Sequence, residues 1–153
     1  MRILHLGMVA LVAVAVLQAG PNFSGKWKLD IPRSEFGEGS PAPQKSTQDV
    51  THADPKLKVA LVQVSERGEF EAELNYTTDG KECTNEIMGT PVKTTVKWDG
   101  DALVFHTTGT FNDNQITLDD RWTMAADGKT LTVKRHFKGG ERERDQKLIF
   151  EKQ

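Results

Sequence analysis

The chain has 153 residues, of which 37% are hydrophobic and 27% charged, with 20 basic against 22 acidic side chains and a formal net charge of −2. That length suits one globular domain, and the composition excludes collagen-like, coiled-coil and largely disordered chains. A balance this close to neutral argues against a dedicated nucleic-acid binder or a polybasic membrane-surface protein.

Arg2 is the only ionised side chain at the start, and residues 6–17 are then almost entirely apolar. The run is shorter than the ~20 residues that a membrane span needs. A basic start, a short apolar stretch and a small-residue end are the features of a secretory signal peptide. This assigns residues 1–19 to a signal and 20–153 to a single mature domain. Cleavage fits after Ala19 or after Gly20, with Leu17 bulkier than ideal for the first option. The competing reading is an uncleaved N-terminal anchor. No cysteine follows the apolar core, as a lipid anchor would require. The mature protein is therefore expected to be soluble, exported to the periplasm or the exterior, and without a stable membrane anchor. Loss of Arg2 leaves 19 basic against 22 acidic residues, a net charge of −3. Cys83 is the sole cysteine, so no intrachain disulfide can form, and stability rests on a hydrophobic core.

The mature region reads as a succession of short strands. The first lies near residues 23–29. Residues 32–43 follow as a loop rich in Ser, Gly and Pro, with Phe36 as its expected anchor on the body of the domain. Ala53-Asp54-Pro55-Lys56 then separates strands at 46–52 and 57–64, and Glu66-Arg67-Gly68 precedes a strand at 69–78. Asp79-Gly80, Asp99-Gly100, Asp127-Gly128 and Gly139-Gly140 are further turn signals, because Asp-Gly favours the positive φ of tight hairpins.

Alternation is strong in each run. Phe70, Ala72, Leu74 and Tyr76 share one face, with Glu69, Glu71, Glu73 and Asn75 on the other. Val92, Thr94, Val96 and Trp98 repeat the pattern, as do Leu103 and Phe105, then Leu118, Asp120, Trp122 and Met124. Leu131, Val133, Arg135 and Phe137 follow, and Leu148 and Phe150 flank Ile149 near the end. Period two with this contrast marks half-buried strands, and no helical period is sustained after residue 20. The fold class is therefore all-β, an antiparallel up-and-down meander of about 8–10 strands. Closure into a barrel removes the sheet edges and buries the apolar face. Two packed sheets are the competing architecture, although sequential hairpins favour the barrel.

Gly25-Lys26-Trp27 in the first strand resembles the Gly-x-Trp signature of lipocalins and related calycin barrels. The resemblance implies that Trp27 closes the barrel base, with Gly25 beside it and Arg142 or Arg144 from a late strand packed on the ring. The Thr-Asp-Tyr motif and the disulfides of many secreted lipocalins are absent, and Lys28-Leu29-Asp30 replaces the second Gly-x-Gly of the haem-binding relatives. A second resemblance covers most of the mature chain. Residues 23–30, Ser34-x-Phe36-Gly37, the run 76–82 and the stretch 120–131 are similar to small exported bacterial proteins with no assigned activity. It implies a lipocalin-like exported barrel and transfers no catalytic residue.

Chemistry-bearing motifs are sparse. His52, His106 and His136 each stand alone in a strand, and no His-x-His, Cys-x-x-Cys or His-Glu-x-x-His occurs. No metal site and no cofactor are expected. There is no Gly-x-Ser-x-Gly elbow, and Cys83 has both Lys81 and two glutamates nearby, so no activated nucleophile stands out. Asp119 and Asp120 point to opposite faces and cannot act as a flanking pair. The protein is expected not to be an enzyme. Two Asn-x-Ser/Thr sequons, at Asn22 and Asn75, matter only in a eukaryotic secretory pathway.

Asp120 and Arg135 lie on the apolar sides of their strands, where they form either a structural ion pair or the polar anchor of a ligand. With Tyr76, Trp98, Phe105 and Trp122 they are the candidate ligand-binding residues, although inward aromatics also serve as plain core. The function expected is that of an exported β-barrel holding a small apolar or amphipathic ligand. The alternative is a structural or interaction module of the cell envelope, with its contacts on the 32–45 loop beside Phe36 or on an outer strand face. Nothing in the sequence sets the oligomeric state.

Overall fold

A computed structural model of the chain describes residues 20–153; the signal assignment lies outside the described residues. Ten strands follow one another: β1 (Gly25–Leu29), β2 (Lys45–Ala53), β3 (Lys56–Ser65), β4 (Gly68–Thr77), β5 (Cys83–Ile87), β6 (Thr90–Asp99), β7 (Ala102–Phe111), β8 (Asn114–Met124), β9 (Thr130–Gly139) and β10 (Arg142–Lys152). They form one antiparallel sheet in the order β4-β3-β2-β1-β10-β9-β8-β7-β6-β5. The only non-sequential neighbours are β1 and β10, which pair Trp27 with Lys152 and Leu29 with Phe150. The sheet curls into a nearly closed barrel, and the sandwich alternative falls away.

The inward positions are those that alternation marks. Val50, Leu57, Val59, Leu74, Val96, Leu103, Phe105, Leu131, Val133, Leu148 and Phe150 are buried and form one core. On β4, the three glutamates and Asn75 face solvent while Leu74 is buried. Ile149 is an exception to the period. It points outward, yet it is buried. The chain after β1 crosses beside it: Asp30 N–H donates to the Ile149 carbonyl at 2.7 Å, and Ile149 N–H donates to Ser34 Oγ at 2.9 Å.

Two hairpins close on turns that carry none of the turn signals noted in the sequence. Met88-Gly89 joins β5 to β6 with φ of 50° and 75°, and Asn112-Asp113 joins β7 to β8 with φ of 48° and 63°. Positive φ at both central residues matches the right-handed twist of the flanking strands. Asn and Asp adopt that region readily, whereas for Met88 the hairpin imposes it.

Asp79-Gly80 is a turn, but not the tight hairpin turn that the dipeptide implies. It leads from β4 to β5, the two edges of the sheet, which share no backbone ladder. A side chain spans this opening. Asn75 N–H donates to Asn85 Oδ1 at 2.8 Å, and Asn85 Nδ2 donates to the Asn75 carbonyl at 3.0 Å. The buried Asn85 amide thus does the work of a missing backbone pair. Asn85→Ala is expected to cost about 1–3 kcal/mol, the penalty of stranding buried polar groups. Amide hydrogen exchange provides the check: Asn75 should lose protection selectively, and uniform protection in both proteins would refute the bridging role.

Candidate functional site

One end of the barrel is filled by aromatic rings. Trp27 is fully buried, and its Nε1–H donates to the Phe23 carbonyl at 2.9 Å. Phe23 lies within about 6 Å, ring to ring, of His52 (5.9 Å), Trp98 (6.1 Å) and Trp122 (5.9 Å). The cation over Trp27 is neither arginine expected from the lipocalin resemblance. Lys152 Nζ stands 5.5 Å from the ring centroid. Arg144 instead covers Phe137 at 4.6 Å, and Arg142 pairs with Gly139 at the start of β10. The reason is register. Trp27 sits opposite Lys152, and at about 3.4 Å per residue both arginines lie well over 20 Å up the strand. Gly25 makes room for this arrangement, since a Cβ there would meet Lys152 Cε at 2.6 Å and its φ is 142°.

Asp54, in the turn between β2 and β3, ties this end together. Its carboxylate accepts from His52 Nε2 at 2.8 Å, Thr78 Oγ1 at 2.7 Å and Trp98 Nε1 at 2.9 Å. His52 Nδ1 accepts the Phe23 N–H at 3.1 Å, which sets the tautomer with the proton on Nε2. Burial pushes the Asp54 carboxyl up, but hydrogen bonds from His52, Thr78 and Trp98 outweigh it and hold the group below its ordinary value. Trp122 Nε1 is buried without a partner.

Farther along the barrel, Asp120 and Arg135 face each other across β8 and β9. Arg135 Nε donates to Asp120 Oδ1 at 2.8 Å and Nη2 to Oδ2 at 2.7 Å, a two-pronged pair. Burial works against the guanidinium charge, and the Asp120 carboxylate more than restores it. Tyr76 packs edge-on to Phe105, ring centroids 5.5 Å apart. Burial first, and the Asp120 charge second, push its phenol far above the ordinary range, so it stays neutral.

A partly enclosed cavity of about 160 Å³ opens on the other side of Arg135. Residues of five strands line it, most of them inward, with the exposed Gln63 at its rim. Leu29, Leu61, Leu148 and Phe150 are apolar; Ser46, Gln48, Gln63, Gln146 and Arg135 are polar. The cavity exists because β1 is short. Past Leu29 there is no strand between β2 and β10, and residues 30–44 cover the gap as a loop. Glu35 exchanges two backbone hydrogen bonds with Lys147, at 2.7 and 2.9 Å. Gln146 Nε2 donates to the Phe36 carbonyl at 2.7 Å. Phe36, Ser40, Pro41 and Pro43 form the roof. Phe36 packs on the core, as its apolar character within a polar loop implies.

Of the six residues nominated as ligand contacts, Arg135 lines this cavity. Trp98 and Trp122 belong to the aromatic end. Phe105 stacks on Trp122 at 4.8 Å, with Tyr76 against it, and Asp120 is occupied by Arg135. Ser46, Gln48, Gln63 and Gln146 are not among the expected contacts, because an uncharged polar residue on a strand stands out less than a charge on an apolar face. The available signal was period two itself: Ser46 and Gln48 share a face with Val50, Gln63 with Leu61, and Gln146 with Leu148.

The remaining nucleophile and histidines do not converge on one another. Cys83 lies at the start of β5, 3.5 Å from Thr77 Oγ1. His106, Asp119, His136 and Asp145 form one row on the outer face of β7 to β10. Asp119 separates the two histidines. His136 Nδ1 bonds Asp145 Oδ1 at 2.7 Å, and this bond leads the forces that raise its pKa. Among the described residues no group of three or more His, Cys, Asp or Glu is placed to hold a metal. An open groove of about 450 Å³ runs along this outer face.

No family model matches the chain, and no curated protein matches it in sequence. Solved structures match its fold. A secretory abundant heat soluble (SAHS) protein from Ramazzottius varieornatus is 15% identical, with a TM-score of 0.61 over 88% of this chain and 98% of its own. The zebrafish ileal bile acid-binding protein complexed with cholic acid is 17% identical, with a TM-score of 0.56 over 86% and 98%. The Schistosoma mansoni fatty acid binding protein in complex with arachidonic acid is 15% identical, with a TM-score of 0.51 over 86% and 96%. Identities this low speak for the fold alone, which is a lipocalin-like barrel.

Proposed function

We propose that this lipocalin-like barrel is an exported, non-enzymatic binding protein that takes a small apolar or amphipathic ligand into its interior. The cavity beneath the 36–43 loop carries the proposal. It lies inside the wall, joins four apolar residues to five polar ones, and is roofed by a segment without regular structure. Ligand sites are usually apolar with a few convergent polar groups; here more of the lining is polar, which suits a small amphipathic ligand held largely by hydrogen bonds. At about 160 Å³ it holds far more than one water, whose needs are about 10–15 Å³ by the same measure. It falls below the roughly 300–1,000 Å³ of drug-sized sites, so the ligand is small. Two of the fold neighbours, the bile acid-binding and fatty acid binding proteins, were solved with apolar or amphipathic ligands, which supports the reading by analogy of fold.

The envelope-module alternative has less to stand on. An apolar patch outside the barrel beside Phe36 would favour it, and Phe36 packs inward; an outer strand face is its other candidate contact surface. Among the described residues Met88, 79% exposed at the β5–β6 turn, is the large apolar side chain presented to solvent.

Native mass spectrometry of gently purified protein tests the proposal. A one-to-one adduct that disappears on unfolding is the expected result. Ser46→Phe, which fills the cavity, should abolish the adduct while the protein remains folded. An adduct that persists in Ser46→Phe would place the ligand elsewhere.

A further inference from the structure

The charge balance of the cavity selects among amphipathic ligands. Building on the binding reading above, we infer that the ligand's polar end is an uncharged group that both donates and accepts hydrogen bonds, such as a hydroxyl or a primary amide, and not a carboxylate or an ammonium.

Three observations converge on this. First, Arg135 is the only ionisable side chain among the residues lining the cavity. Second, its charge is already matched. Asp120, its side chain only 10% exposed, holds the guanidinium through Nε and Nη2. A ligand carboxylate there would meet a neutral pair. Two negative charges would then share one positive charge away from water, and a buried charge without its own counter-ion is strongly disfavoured. An ammonium meets the same objection with the sign reversed, since Asp120 is engaged and no other carboxylate lines the cavity. Third, the cavity presents neutral hydrogen-bonding groups, one of which the protein leaves buried without a partner. Gln48 Oε1 is buried and has none. The Gln48 amide carries an acceptor and a donor side by side, and its preference for a neutral partner is the same whichever way the amide is turned. The buried Ser46 hydroxyl and, at the solvent-exposed rim, Gln63 add further neutral groups, and Arg135 Nη1 is left over from the ion pair as a donor. Gln146, by contrast, commits its amide nitrogen to the roof, at the Phe36 carbonyl and Ser40 Oγ. The apolar lining of Leu29, Leu61, Leu148 and Phe150 then accepts a short hydrocarbon tail.

The experiment compares probes of one chain length: 1-hexanol, hexanamide, hexanoate and hexylamine. Each is titrated into the full mature protein at pH 7 and followed by NMR, reading the side-chain amide of Gln48. Hexanol and hexanamide should bind at least ten-fold more tightly than hexanoate or hexylamine and should shift the Gln48 resonances. Gln48→Leu should bring the neutral probes down towards the level of the charged ones. In Asp120→Asn, if it folds, Arg135 loses its counter-ion and hexanoate should gain at least ten-fold over wild type. Hexanoate or hexylamine binding as tightly as hexanol to the wild type would overturn the inference while leaving the binding proposal intact. A full preference for hexanol retained in Gln48→Leu would overturn it as well. Failure of all four probes to bind would overturn both.

Discussion

Trp27→Ala is expected to destabilise the protein by about 3–5 kcal/mol, the usual loss when a large buried aromatic is truncated. That is a large share of the roughly 5–15 kcal/mol that holds a domain of this size together. Trp27 has no exposed surface, donates to the Phe23 carbonyl and lies on β1 where it pairs with β10, the one neighbouring pair of the described sheet that is not consecutive in the chain. Truncation therefore removes apolar burial, strands a carbonyl and loosens the contact between the two ends of the chain. Urea denaturation should show the midpoint falling by about 1–5 M, given slopes of about 1–3 kcal/mol per M. Trp27→Phe should recover most of the volume while losing the indole hydrogen bond, a difference of about 1 kcal/mol. The cavity is lined without Trp27, so the folded fraction of either variant should bind the neutral probes as wild type does. An unchanged midpoint in Trp27→Ala would remove Trp27 from the closure of the barrel.

The second large effect concerns the interior ion pair. Asp120→Ala is expected to cost about 3–5 kcal/mol, because it leaves the Arg135 charge inside the barrel without a partner. Arg135 keeps 30% of its side-chain surface accessible and lines the cavity, so water there offsets part of the lost partner and the loss falls towards the lower end of that range. The pair itself is worth much less than either single deletion suggests. Replacing both residues together, as Asp120→Leu with Arg135→Met, should be near neutral or stabilising by up to about 4 kcal/mol, since both desolvation penalties vanish at once. A double-mutant cycle read by chemical denaturation gives the coupling directly. Additive losses in the double variant would show that each residue contributes through separate packing and that the ion pair adds nothing.

Much of the fold was legible along the chain because a strand's side chains alternate. Phe70, Ala72, Leu74 and Tyr76 announce an inward face with no knowledge of their neighbours, and the same holds for 92–98 and 131–137. The lone Asp120 and Arg135 on such faces announce an interior pair, and strand order brings them opposite each other. The site was less legible. Its lining comes from β1, β2, β3, β9 and β10, and no local pattern reports that Gln48 and Gln146 face the same space.

Local chemistry determined which residues point inward, where most turns fall, that Trp27 is a core residue and that Phe36 fastens a polar loop. These follow from side-chain period and turn propensity, which act over a few residues. Only the tertiary structure decided which cation covers Trp27, where the barrel is left open and where the cavity lies. Each depends on register between distant segments. Pairing Trp27 with Lys152 carries Arg142 and Arg144 away to the far end of β10. The meeting of edges β4 and β5 leaves Asn85 to span the opening. The early end of β1 at Leu29 leaves a gap for the 30–44 loop to cover, and the cavity forms beneath it.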